Sequence, residues 1–102
     1  MRRTSIVATM GPATQSQDVV ADLIRAGMNV ARLNFSHGTH DSHRAQYERI
    51  RAVATELGAP VAILADLQGP KIRVGAIEGG AIEIPDGSEL TITTRDEIGR
   101  PG

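Results

Sequence analysis

The stretch Met28-Asn29-Val30-Ala31-Arg32-Leu33-Asn34-Phe35-Ser36-His37-Gly38-Thr39-His40 decides how this chain is read. Its first half suits a short buried strand, with Val30, Ala31 and Leu33 apolar. Its second half turns polar: Asn34, Ser36 and His37 bring an amide, a hydroxyl and an imidazole onto one turn, which Gly38 closes. Side chains two apart in an extended segment share a face, so Arg32 and Asn34 point the same way. A guanidinium, an amide and a hydroxyl gathered at the carboxyl end of a strand suit an anionic ligand.

Working outward, Ser5–Met10 is a β-prone apolar run that Gly11-Pro12 stops. Ser16 is placed to cap a helix, with Asp18 in its first turn. Val19, Val20, Leu23 and Ile24 recur at helical spacing before Gly27 ends the run. On the other side, Thr39 caps a second predicted helix. Its apolar face is Ile50, Val53, Ala54 and Leu57, and Gly58 closes it ahead of Pro60. Val61–Ala65 is a third apolar strand, ending at Asp66. Strand, helix, strand, helix, strand predicts parallel strands joined by right-handed crossovers, each buried on both faces. Three strands alone do not separate a barrel from an open sheet. After Gly69-Pro70 the pattern shifts to period two in Ile72–Ile77, Ala81–Ile84 and Glu89–Thr94, with Gly79-Gly80 and Pro85-Asp86-Gly87 as turns. This predicts short antiparallel strands belonging to a second domain, whose closing element is not reached by Gly102.

Composition narrows the function classes. A chain of 102 residues holds one small domain rather than a large enzyme. A net charge of −1, with Phe35 and Tyr47 as the only aromatics, argues against nucleic acid as a partner. No segment approaches the roughly 20 apolar residues needed to span a bilayer, and no signal-length apolar run follows Arg2-Arg3. A soluble cytoplasmic protein is expected. The absence of cysteine excludes disulfides, thiolate metal sites and thiol catalysis within the sequence. His37, His40 and His43 have imperfect spacing for one helical face and few acidic neighbours, so a zinc site is not expected. His40 and His43 are expected to be solvated in the first turn of the second helix.

Three longer motifs carry a family resemblance. Ile6–Ala13 (IVATMGPA), Gly27–Gly38 (GMNVARLNFSHG) and Asp66–Arg73 (DLQGPKIR) resemble the N-terminal part of pyruvate kinase, and the likeness covers nearly the whole chain. It implies an α/β fold: residues 1–70 as the first three strand-helix units of a (β/α)8 TIM barrel, and 71–102 as the start of an inserted all-β domain. It also implies phosphoryl transfer from phosphoenolpyruvate to ADP, giving pyruvate and ATP. Arg32 matches the arginine that approaches the phosphoryl group. Asn34, Ser36 and Asp66 match ligands of a monovalent cation beside it. Asn34, Phe35, Ser36 and His37 line the nucleotide side, and Arg73 matches an arginine on the nucleotide phosphates. The family's Mg2+ ligands and a further lysine come later than Gly102, and its members are usually homotetramers.

One departure from the family's commoner pattern bears on mechanism. Potassium-dependent members have Thr-Lys-Gly-Pro-Glu after the aspartate, where this chain has Leu67-Gln68-Gly69-Pro70-Lys71. Lysine in place of the glutamate is similar to potassium-independent members. A tethered ammonium supplies the charge that bound K+ otherwise brings, so Lys71 is expected to replace the ion at a catalytic position. A barrel needs around 250 residues, so the chain alone is expected to be inactive. The alternatives are a split or standalone phosphate-binding module that complements a partner chain, and a non-functional product that self-associates through unpaired strand edges.

Overall fold

In a computed structural model, which describes residues 2–101, the capping residues set the limits of both helices. In chain order the elements are β1 (Ile6–Thr9), a 3-10 turn (Pro12–Thr14), α1 (Gln17–Ala26), β2 (Met28–Asn34), α2 (His40–Leu57) and β3 (Ala62–Asp66). The Ser16 hydroxyl accepts from the Val19 N–H at 3.2 Å and opens α1. Thr39 and Ser42 cap α2 reciprocally: Thr39 Oγ1 accepts from the Ser42 N–H at 3.1 Å, and Ser42 Oγ from the Thr39 N–H at 2.9 Å. Gly58 ends α2 at φ 62°, a left-handed backbone that a Cβ would strain.

The strands form one sheet in the order β1-β2-β3, and both pairs are parallel. The Asn29 side chain accepts from the Ile6 N–H at 2.8 Å where the β1–β2 register slips. Ala31 and Leu33 turn toward the helices and are buried with Val20, Ile24, Ile50 and Val53. Ala8 and Ile63 pack against the same core. Arg51 on α2 donates to the Val61 carbonyl at 2.8 Å, fastening the helix to the entry of β3. Strand side chains alternate, so Val30, Arg32 and Asn34 fall on the opposite face.

That opposite face departs from the expectation of two-sided burial. Val7 and Leu64, the register neighbours of Val30 and Arg32, are 54% and 46% exposed. With the strands in the order β1-β2-β3, right-handed crossovers put both helices on the same side of the sheet. An apolar run long enough for two-sided burial reports what a strand can bury, not how many layers are there to bury it.

The chain divides into two compact units, Met1–Gly69 and Pro70–Gly102. In the second, both turn predictions match the backbone. Gly80 donates to the Ile77 carbonyl and Ser88 to the Pro85 carbonyl, with Gly79, Gly80 and Gly87 at positive φ. The three predicted strands do not form a ladder. Among the described residues the unit has only an isolated parallel bridge, between Ile77 and Gly99. Ile72 is fully exposed and Val74 is 87% exposed. Alternating apolar residues become a strand only when a neighbouring strand and a packed layer receive them.

Ile50 is wholly buried at the helix–sheet contact. Ile50→Ala is expected to lower stability by about 2–5 kcal/mol, read as a shifted urea midpoint with an unchanged slope. Tyr47→Ala, one turn earlier and 46% exposed, is expected to shift it far less.

Candidate functional site

Parallel pairing puts the carboxyl ends of all three strands on one edge. Thr9 pairs with Arg32 and Asn34 with Asp66, so side chains from three strands meet on the uncovered face. The ladder runs one bond past each strand end. Met10 donates to the Arg32 carbonyl at 2.9 Å, and Phe35 to the Asp66 carbonyl at 2.9 Å.

The Arg32 guanidinium is the centre of this edge. Its Nε and Nη2 donate to Oδ2 of Asp66 at 2.9 and 2.5 Å, and its Nη1 donates to Oγ1 of Thr9 at 3.0 Å. The side chain is 29% exposed, partly desolvated, and its charge is met by the carboxylate. Of the five N–H bonds a guanidinium carries, these three hydrogen bonds leave one on each terminal nitrogen for a ligand. The resemblance assigned Asp66 to a cation; the geometry brings it against Arg32, with Oδ2 already accepting two charged hydrogen bonds.

The turn after β2 is built by its own polar groups. Asn34 Oδ1 accepts from the Ser36 N–H at 3.1 Å, and the Asn34 carbonyl from the His37 N–H at 3.2 Å. Gly38 sits at φ 76°, and a Cβ there would lie 2.9 Å from Ser42 Oγ and 3.2 Å from His43 Nε2. Phe35 stacks on His43, centroids 4.3 Å apart at 21°. Nε2 of His43 lies 2.7 Å from the His37 carbonyl. A carbonyl only accepts, so Nε2 carries the proton. His43 is therefore half-buried and bonded rather than solvated, because α2 starts close enough to the turn for its ring to lie on Phe35. His40 is exposed, as expected. A cleft lined by Phe35, Ser36, Gly38, His43, Leu67 and Gln68 opens beside this turn.

Gln46 is a structural residue that the sequence reading did not single out. It is buried; its Nε2 donates to the Thr14 carbonyl at 3.0 Å and its Oε1 accepts from Arg49 at 2.7 Å. This ties α2 to the turn after β1. The available signal was an amide one turn before Ile50, on the helix face that carries Val53, Ala54 and Leu57.

The first unit thus gathers Arg32, Asn34, Phe35, Ser36, His37 and Asp66, whereas Lys71 and Arg73 fall in the second. Among the described residues no three His, Asp or Glu side chains come together as a metal site. No helix among them is long and apolar enough to cross a membrane.

Residues 1–101 match the family model for the barrel domain of pyruvate kinase. The chain is 50% identical over 101 residues to the pyruvate kinase of Staphylococcus saprophyticus, covering 99% of this chain and 17% of that protein. It is 52% identical over 92 residues to the pyruvate kinase of Mycobacterium tuberculosis, covering 90% of this chain and 20% of the relative. The crystal structure of Cryptosporidium parvum pyruvate kinase superposes with a TM-score of 0.84 at 44% identity, over 96% of this chain and 21% of that one. The chain therefore spans about a fifth of the length of these relatives.

The Arg32–Asp66 pair is expected to show a coupling of about 1 kcal/mol in a double-mutant cycle of Arg32→Ala and Asp66→Asn followed by denaturant unfolding. Strict additivity of the two substitutions would mean that the pair contributes no interaction of its own.

Proposed function

The chain belongs to the pyruvate kinase family, and on that premise we propose that it works as the N-terminal portion of an enzyme transferring the phosphoryl group of phosphoenolpyruvate to ADP. The products are pyruvate and ATP. The observation that carries the proposal is Arg32, a partly buried guanidinium held at the carboxyl edge of parallel strands with two N–H bonds left over. Barrel enzymes keep their sites at this edge, and phosphoryl transfer is catalysed mostly by fixed positive charge around the moving group.

In this reading Arg32 binds the phosphoryl oxygens of phosphoenolpyruvate, and Asp66 anchors the guanidinium at the carboxyl edge of the sheet. The Asn34–His37 turn, backed by His43, lines the nucleotide side, and Arg73 meets the nucleotide phosphates. The sheet is the opening of a (β/α)8 barrel whose later strands cover Val7 and Leu64, and residues from Lys71 onward begin an inserted β domain. By the family resemblance, the carboxylates that would hold Mg2+ lie later in the full-length enzyme. In this reading the working form is a longer, cytoplasmic homo-oligomeric enzyme of which this chain is the N-terminal portion.

Lys71 carries the potassium-independent part of the proposal. Asn34, Ser36 and Asp66 supply oxygens of the right chemistry for a monovalent cation, but Oδ2 of Asp66 is engaged by Arg32 and Asn34 Oδ1 by Ser36. The Lys71 ammonium then does the work of the ion, balancing charge beside the phosphoryl group.

The test is steady-state assay of the full-length enzyme carrying this chain. Arg32→Ala is expected to lower kcat/KM for phosphoenolpyruvate by about 10²–10³-fold. Replacing tetramethylammonium chloride by KCl at equal ionic strength is expected to leave the rate unchanged. Lys71→Glu is expected to lower it and to make it respond to K+. A many-fold activation of the unsubstituted enzyme by K+ would overturn the role given to Lys71.

A further inference from the structure

We propose that Thr9, at the end of β1, is a positioning residue for phosphoenolpyruvate: its hydroxyl fixes the plane in which the Arg32 guanidinium presents its two remaining N–H bonds. The inference rests on the role given to Arg32 above.

The argument turns on which atoms Asp66 uses. A guanidinium and a carboxylate can form two parallel hydrogen bonds to two oxygens, and that fork holds both planes. Here Nε and Nη2 both donate to the same oxygen, Oδ2. One acceptor atom is a pivot rather than a fork, and the guanidinium can swing about it. Leu64, the register partner of Arg32 on β3, has no polar group to stop that swing. On the other side the register partner is Thr9, whose Oγ1 accepts from Nη1 at 3.0 Å. The guanidinium is thus held from β3 through Nε and Nη2 and from β1 through Nη1, and this third point removes the rotation. Preorganised donors gain most when they need no reorientation as charge moves.

Thr9 is itself exposed and lies outside the helix-packed core. Valine keeps its β-branched shape and strand preference and removes only the acceptor. In the full-length enzyme, Thr9→Val is expected to lower kcat/KM for phosphoenolpyruvate about tenfold, the usual worth of one hydrogen bond to a charged group. KM for ADP and the thermal midpoint are expected to match the unsubstituted enzyme, and Thr9→Ser to restore most of the loss. Unchanged phosphoenolpyruvate kinetics in Thr9→Val, alongside impaired Arg32→Lys, would overturn the inference and leave the role of Arg32 standing. Loss of thermal stability with equal damage toward both substrates, and no recovery in Thr9→Ser, would also overturn it by making Thr9 merely structural. Unchanged phosphoenolpyruvate kinetics in Arg32→Lys would instead overturn the underlying reading of Arg32, and the inference with it.

Discussion

The parallel register of β1, β2 and β3 is the constraint from which the site follows. Parallel strands send all their carboxyl ends to one edge, and here that edge carries Thr9, Arg32, Asn34 and Asp66. The backbone bonds from Met10 to Arg32 and from Phe35 to Asp66 extend the pairing just past the strands. The departing loops therefore start from fixed points. The helices pack on one face alone, through Val20, Ile24, Ile50 and Val53. Arg32 lies on the other face, where the Asp66 carboxylate compensates its charge.

The charge of Arg32 is compensated, but its hydrogen-bonding capacity is only partly used. Asp66 cancels the formal charge of Arg32 while occupying one edge of its guanidinium, so the pair binds an anion through directed N–H bonds more than through net charge. Any excess positive charge that an anionic ligand requires has to come from groups other than this pair.

The turn beyond β2 is held from behind by α2. Gly38 allows the chain to pass close under Ser42 and His43, and His43 returns a stacked ring to Phe35 and a hydrogen bond to the His37 carbonyl. Gln46, one turn on, fastens the same helix to the turn after β1. One helix thus steadies two of the loops at the carboxyl edge, and its own seating depends on the aliphatic face farther along. The order of the site is tied in this way to ordinary core packing.

Much of the first unit was legible in the sequence because its signals are local. Ser16, Gly27, Thr39 and Gly58 fall at helix ends where a side-chain oxygen or a left-handed backbone is needed within a few residues. The apolar runs around Ala8, Ala31 and Ile63 mark strands for the same reason, and the family motifs pointed to Arg32 and the Asn34–Gly38 turn. What was not legible depends on neighbours distant along the chain. Period-two alternation in Ile72–Thr94 becomes a ladder only with partners to pair against, and the described unit forms just the Ile77–Gly99 bridge. The exposure of Val7 and Leu64 depends on how many layers surround the sheet. His43 was read as solvated because nothing in the spacing says that its ring will meet Phe35. By itself, then, the sequence determined the family and the element order of the first unit, through capping chemistry, periodicity and motif. Only the tertiary structure decided that Asp66 and Thr9 hold Arg32 between them, because those hydrogen bonds join three strands through a register that no local signal encodes.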